Sequence, residues 1–150
     1  MNSIEIISQL PYEYPFLFVD ELESISRDGV RGNYTFPADS YFYKGHFKNY
    51  PVTPGVILTE CMAQIGLVCL GMILMKKNAL KLRDTQVALT SCQVDFFIPV
   101  YPEEKVIVIS EKEVFRFNKL KCKVKMLNGK GELVCKGLIS GMLKISEKKS

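Results

Sequence analysis

Polar and apolar residues alternate along most of the chain after residue 84, in stretches rich in β-branched and aromatic side chains. This period of two predicts β-strands, and proline, asparagine and glycine residues separate one stretch from the next. The predicted strands span residues 85–97, 105–115, 119–127 and 132–145. Short connections between long strands predict an antiparallel meander, in which Asn128-Gly129 forms a two-residue hairpin turn.

The first part of the chain predicts smaller elements. A short helix comes first, followed by a turn at Pro11 and Pro15 and by the apolar segment 16–19, which leads into a first strand. Alternation returns between Val30 and Phe36, and predicts further strand structure there.

A long apolar helix is predicted between these two sets of strands. Thr53 is a good N-cap residue and Pro54 suits the first helical position, so the helix should begin at Pro54 and run to about Met75. Apolar residues cover nearly its whole circumference, so its surroundings must bury it on all sides.

One buried helix and one run of antiparallel strands predict a hot-dog fold of the α+β class, in which the sheet wraps around the helix. The length of 150 residues suits a single domain, residues 1–150. The edge strand of such a sheet needs cover, and pairing with the same edge of a second copy predicts a dimer.

The helix has an alternative interpretation as a membrane span. Residues 56–75 contain one charged side chain, Glu60, and a helix of that length rises about 30 Å, enough to cross a bilayer. Against a span, Glu60 lies in the same half as the polar Thr59 and Gln64, and a carboxylate at that depth costs about 3 kcal/mol. We therefore expect a core helix and no membrane span.

Composition and cysteine usage narrow the function classes. The net charge of +4 comes mostly from dispersed lysine and arginine residues, which does not indicate nucleic-acid binding. The five cysteines have no Cys-x-x-Cys spacing and lie in apolar stretches, so we expect reduced, buried thiols, no zinc site and a cytoplasmic location. The N-terminus lacks the basic start and long apolar run of a secretory signal.

Candidate chemistry lies around the start of the long helix. His46 is the only histidine and precedes the helix in a loop, while Glu60 and Gln64 are four residues apart on one helical face, so the amide can orient the carboxyl group. Burial among apolar residues should raise the pKa of Glu60 toward neutrality, as a general acid requires. Structural interpretations remain open, because a lone histidine is often structural and Glu60 could reach solvent from the helix start.

Gly55 is a third component of the candidate site. The first N–H groups of a helix have no internal partner and would polarise a thioester carbonyl, and a residue without a side chain lets the substrate approach closely. A simple loop-to-helix turn is the alternative. With a base and an acid, these groups suit β-elimination of water, which requires no metal.

The same residues resemble the FabZ family of (3R)-hydroxyacyl-[acyl carrier protein] dehydratases, and the resemblance covers nearly the whole chain. The matching motifs are Leu10-Pro11-x-x-Tyr14-Pro15-Phe16-Leu17-x-Val19-Asp20, Phe42-Tyr43-x-Gly45-His46-Phe47, Pro51-x-x-Pro54-Gly55-Val56, Glu60-x-x-Ala63-Gln64 and Phe96-x-x-Pro99-Val100-x-Pro102. The spacing within the central block is that of the family's active site.

This resemblance implies a role for each residue. His46 would be the base, and Glu60, contributed by the neighbouring subunit, the acid. Gly55 and Val56 would bind the thioester oxygen, and Gln64 would orient Glu60. No cofactor is implied beyond the phosphopantetheine arm of an acyl carrier protein, which carries the substrate.

The resemblance also implies partners. They are the acyl carrier protein and a second copy in a homodimer with shared active sites, which in this family often assembles into a hexamer. Arg116, Lys119 and Lys121 are candidate docking residues for the acidic carrier protein, although an ordinary solvated hairpin explains them equally well.

Three residues depart from the family pattern. Tyr12 stands where histidine is usual, Lys48 where proline is usual and Cys61 where alanine is usual. They suggest a specialised relative in a pigment, polyene or polyketide pathway. Two alternatives stay open: a hot-dog thioesterase that uses the same groups to activate water, and a non-catalytic partner subunit of a heterodimeric dehydratase.

Overall fold

A computed structural model describes residues 2–75 and 85–145, which form a six-stranded antiparallel sheet and a long central helix. The elements in chain order are α1 (Ser3–Ser8), β1 (Glu21–Ile25), β2 (Gly29–Thr35), a 3-10 turn (Tyr41–Lys44), α2 (Gly55–Met75), β3 (Thr85–Phe96), β4 (Lys105–Arg116), β5 (Lys119–Asn128) and β6 (Leu133–Ile145). The predicted α+β hot-dog fold is confirmed, and the four long strands lie within about two residues of their predicted bounds.

The strand order is β1-β2-β4-β5-β6-β3, so the predicted simple meander is wrong for β3. Strands β4, β5 and β6 follow one another in space, but β3 lies beyond β6 and pairs with it from Thr85↔Ile145 to Phe96↔Cys135. Strand β4 is paired with β2 on one side and with β5 on the other, so β3, with 12 residues, pairs along the 13-residue β6. Among the described strands, β3 therefore forms an edge of the sheet.

The two hairpin turns differ from the sequence prediction. Phe117 and Asn118 alone join β4 to β5, and both have positive φ angles, 50° and 60°, as a type I′ turn requires. Between β5 and β6 the prediction of a two-residue turn is wrong, because Asn128 N–H bonds to the carbonyl of Glu132 at 2.9 Å and leaves three residues in the loop. The Asn128 side-chain oxygen accepts two backbone N–H groups of this loop, and Gly131 takes φ 81°.

Helix α2 is the core of the molecule, and every residue between Cys61 and Leu70 is buried. It is α-helical over Gly55–Met62 and Cys69–Met75, with a π-helical segment over Ala63–Val68. The helix is long and apolar enough to cross a membrane, with a mean hydropathy of 2.0, but 72% of that window is buried inside the protein. This burial is what a helix in a protein core requires.

The cysteine prediction holds at four positions and is wrong at one. All five thiols are free, and Cys61, Cys69, Cys122 and Cys135 are buried. Cys92 is exposed, because its apolar stretch lies on β3, which among the described strands has a neighbour on one side only.

Candidate active site

His46 lies in the loop that leads from the 3-10 turn into α2. The backbone N–H of Val52 donates to the His46 carbonyl at 2.9 Å, and the ring nitrogen Nδ1 lies 2.9 Å from the Val52 carbonyl oxygen. Since a carbonyl oxygen can only accept, Nδ1 carries a hydrogen, and in the neutral ring Nε2 then presents a lone pair. The half-buried imidazole therefore has the tautomer that a general base needs.

Neighbouring aromatic residues restrict this ring. Phe47 stacks on the imidazole, with ring centroids 3.9 Å apart and planes inclined by 27°. Phe47 and Tyr50 exchange two backbone hydrogen bonds of 2.7 and 3.0 Å, and Asn49 completes the turn with φ 61°. The loop thus holds His46 in one orientation.

Helix α2 begins one residue later than predicted. Pro54 is the N-cap residue and makes no side-chain cap, so the expected N-cap role of Thr53 is wrong. The Thr53 hydroxyl is instead 2.6 Å from the Tyr43 hydroxyl, and its N–H donates to the Val100 carbonyl at 2.8 Å. These contacts anchor the approach to the helix, and the rigid ring of Pro54 replaces a polar cap.

The first two amides of α2 have no acceptor within the described ranges. The carbonyl of Pro54 accepts the N–H groups of Ile57 and Leu58, but the N–H groups of Gly55 and Val56 make no hydrogen bond there. The Phe96 ring covers one side of Gly55, where a Cβ atom would lie 3.2 Å from it. A substrate oxygen can therefore reach these amides, and any side chain at position 55 would press on Phe96.

The Glu60 carboxyl group is oriented by Gln64 from one turn later in the helix. Gln64 Nε2 donates to Glu60 Oε2 at 2.9 Å and to the Phe16 carbonyl at 2.9 Å, while Gln64 Oε1 accepts the N–H of Phe18 at 2.8 Å. Burial raises the pKa of Glu60, and the hydrogen bond from Gln64 opposes part of that rise. A larger protonated fraction near neutral pH is what a general acid requires.

Three contributions to this arrangement were missed by the sequence analysis. The contacts of Phe16 and Phe18 involve backbone groups, which carry no residue-type signal. Tyr12 is half-buried, and burial followed by the nearby Glu60 charge raises its pKa to about 12. All three residues lie within the motif of residues 10–20, which was used only as evidence of the family resemblance. The presence of this motif together with the Glu60 motif was the one signal in the sequence that could have predicted their contact.

The structure brings some predicted site residues together and leaves others apart. Glu60 and Gln64 are in contact, and the His46 loop leads directly into the free amides of Gly55 and Val56. In the part of the chain that the structure describes, no hydrogen bond or ion pair joins His46 to Glu60. Within the same ranges no group of three or more His, Cys, Asp or Glu side chains is arranged to hold a metal ion.

The three docking candidates lie at the β4–β5 hairpin. Arg116 and Lys119 are register partners next to the turn and are both exposed. Lys121 lies farther along β5, 3.7 Å from a Glu113 carboxylate oxygen. Arg116 and Lys119 therefore carry positive charges that form no ion pair among the described residues. The charge of Lys121 is partly neutralised.

Known proteins are similar to this chain in sequence. The model of the FabA-like domain matches residues 10–139. A 3-hydroxyacyl-[acyl-carrier-protein] dehydratase FabZ from Hydrogenobaculum is 32% identical over 127 residues, which cover 83% of this chain and 82% of that protein. The FabZ of Clostridium perfringens is 43% identical over 70 residues, so there the chain spans about half the length of its relative.

Solved structures are similar in fold at low sequence identity. The dehydratase heterocomplex ApeI:P from Xenorhabdus doucetiae matches with a TM-score of 0.74 and 13% identity, over 96% of this chain and 92% of that one. A hypothetical thioesterase from Streptococcus pneumoniae, solved with coenzyme A, matches with a TM-score of 0.60 and 12% identity, over 85% and 88%. Because dehydratases and thioesterases both have this fold, the fold alone does not distinguish dehydration from thioester hydrolysis.

Proposed function

This chain belongs to the FabA-like domain family, and on that premise we propose that it removes water from a (3R)-hydroxyacyl chain carried as a thioester on an acyl carrier protein. The product is the trans-2-enoyl thioester. The observation that carries the proposal is the half-buried Glu60 carboxyl group, which Gln64 orients and whose pKa is raised.

His46 acts as the base in this proposal. Its Nδ1–H is committed to the Val52 carbonyl, so the Nε2 lone pair is available to take a proton from C2 of the substrate, next to the thioester. The free N–H groups of Gly55 and Val56 bind the thioester oxygen and stabilise the enolate-like charge that this proton transfer creates.

Glu60 completes the elimination as the acid. As the C2–C3 double bond forms, the C3–O bond breaks and the departing hydroxyl takes the Glu60 proton, so that one water molecule leaves. Proton transfer from the imidazolium, directly or through water, restores both residues. Each positioned acid or base contributes about 10² to 10⁴-fold to the rate.

A second copy of the chain supplies the Glu60 that faces each His46 in this proposal. Within residues 2–75 and 85–145, edge strand β3 has a neighbour on one side only, and large apolar side chains near it are exposed, including Leu89 at 46% and Phe97 at 52%. Val56 at the helix start is 77% exposed. Pairing of two β3 edges buries this surface and joins two half-sites, and three such dimers would give a hexamer.

We also propose the acyl carrier protein as the partner at the β4–β5 hairpin. Arg116 and Lys119 are exposed there without ion pairs among the described residues, so an acidic carrier would find a positive surface. Lys121, farther along β5 and partly neutralised by Glu113, would add to it. A carrier-bound substrate suits fatty-acid synthesis in the cytoplasm, and the changes at Tyr12 and Cys61 favour a polyene or pigment variant of that chemistry.

The direct test is mass spectrometry of a 3-hydroxyacyl carrier protein incubated with the purified protein. Wild type should produce the acyl carrier species that has lost one water, and His46→Ala and Glu60→Gln should each reduce the rate by at least about 100-fold. Glu21→Gln, a matched change at an exposed glutamate, should leave the rate unchanged. Undiminished elimination in both site variants would refute the assignment.

The same assay separates the alternatives. A thioesterase would release free acid and the carrier thiol in place of the dehydrated carrier species. An inactive homodimer that gains activity on addition of a paralogous subunit would identify a heterodimeric dehydratase. Substrates with and without conjugated double bonds, compared by kcat/KM, would distinguish a polyene pathway from fatty-acid synthesis.

A further inference from the structure

A groove of about 660 Å³ crosses the face of the sheet that points away from α2. Residues of β3, β4, β5 and β6 line it. On β5 the groove residues Lys123 and Lys125 are exposed, whereas the alternating Cys122 and Met126 are buried against the core. The groove therefore lies outside the core and is separate from the elimination site.

Two lysines face each other at the centre of this groove. Lys125 on β5 and Lys136 on β6 are direct register partners, and both line the groove. Like charges directly opposite each other destabilise an antiparallel pair. Neither ammonium group forms an ion pair with any residue that the structure describes, although Lys136 Nζ lies 5.9 Å from the centre of the Phe97 ring.

Apolar side chains lie next to this lysine pair. Ile109 on β4 is the register partner of Lys125, and Leu138 on β6 is the partner of Lys123. Both apolar residues are half-buried and line the groove. Two carboxylates also line the groove: Asp95 on β3 is the register partner of Lys136, and Glu111 on β4 is the partner of Lys123. Neither forms an ion pair with Lys125 or Lys136 among the described residues, and Lys123 makes a third cation, so the lining remains net positive.

We propose that this groove binds a linear amphiphile with an anionic carboxylate head. The carboxylate lies between Lys125 and Lys136, where it relieves their repulsion, and the alkyl chain covers Ile109 and Leu138. The volume falls within the range of about 300 to 1,000 Å³ that is typical of small-molecule sites.

The proposal is tested by NMR of the full chain with labelled isoleucine and leucine methyl groups, titrated with decanoate. We expect saturable shifts at Ile109 and Leu138. Decyltrimethylammonium, which has the same chain and the opposite charge, and acetate, which has the charge without the chain, should leave these two signals unchanged. Octanoate should bind more weakly than decanoate by up to about fourfold for each methylene lost.

Variants assign the binding to the lysine pair. Lys125→Gln combined with Lys136→Gln should weaken decanoate binding at least tenfold, while Lys44→Gln combined with Lys130→Gln makes the same charge change outside the groove and should have no effect. Circular dichroism checks that each variant is folded. If the double variant is unfolded, the single variant Lys136→Gln provides the same test. Equal shifts with the cationic amphiphile, shifts confined to α2, or full binding by the folded lysine variants would each overturn the proposal.

Discussion

Gln64 Nε2 donates a 2.9 Å hydrogen bond to Glu60 Oε2 while the backbone of the N-terminal segment holds the same amide from its other side. The Phe16 carbonyl accepts from Nε2 and the Phe18 N–H donates to Oε1, so the amide group has one satisfactory orientation. The position of the Glu60 carboxyl group is therefore set jointly by the central helix and by a segment more than 40 residues away in sequence.

Replacing Gln64 should affect both stability and the acid. Gln64→Leu leaves the buried N–H of Phe18 and the carbonyl of Phe16 without this partner, and should cost about 1 to 3 kcal/mol in the free energy of unfolding, measured with urea. Loss of the hydrogen bond to the carboxylate should raise the pKa of Glu60 further. The alkaline limb of the pH–rate profile for dehydration should therefore move to higher pH. Gln9→Leu, which makes the same change just after α1, is the control. A limb that stays in place in Gln64→Leu argues against this coupling.

Stability should depend on pH through Glu60. Burial raises its folded-state pKa above the ordinary value of 4.5, so the folded protein binds the proton more tightly than the unfolded chain does. The resulting stability is fully present below pH 4.5 and is lost as the pH rises through the folded pKa. Wild type should therefore lose more free energy of unfolding than Glu60→Gln between pH 4.5 and neutrality, and parallel curves would contradict this sign.

A charge introduced at position 12 should influence the same titration, because the neutral Tyr12 phenol lies near Glu60. Tyr12→His introduces a group that can become positively charged, and an imidazolium favours the carboxylate, so the alkaline limb of the rate should move to lower pH. Tyr12→Phe introduces no charge and should leave the limb close to that of wild type. If both variants give the wild-type profile, position 12 has no electrostatic influence on the acid.

The edge of β3 should determine the oligomeric state. Leu89→Lys places a charge on the exposed apolar edge and should shift the protein toward monomers in sedimentation measurements, with a parallel loss of dehydration. Val114→Lys changes a residue of similar exposure, 50%, on β4 and should preserve the assembly. Dissociation with full activity would show that one chain holds a complete site.

Some of the fold was predictable because it depends on local patterns. The alternation from residue 105 to 115 predicted β4 to within one residue of its observed end, since one face of a strand packs on the core and the other meets solvent. The position of β3 beyond β6 depends on pairing between segments about 50 residues apart, which leaves no local pattern. Thr53 was misassigned for a related reason, because the Tyr43 hydroxyl that engages it is a tertiary contact.

By itself, the sequence determined the identities and the order of the groups that carry the proposed chemistry. His46 precedes a helix, and Glu60 and Gln64 share one of its faces, because helical periodicity is a local property. Only the tertiary structure decided that Phe16 and Phe18 hold Gln64, that Nδ1 of His46 is committed to Val52, and that Lys125 faces Lys136. These relationships arise from packing and strand register, which bring together groups that no local pattern connects.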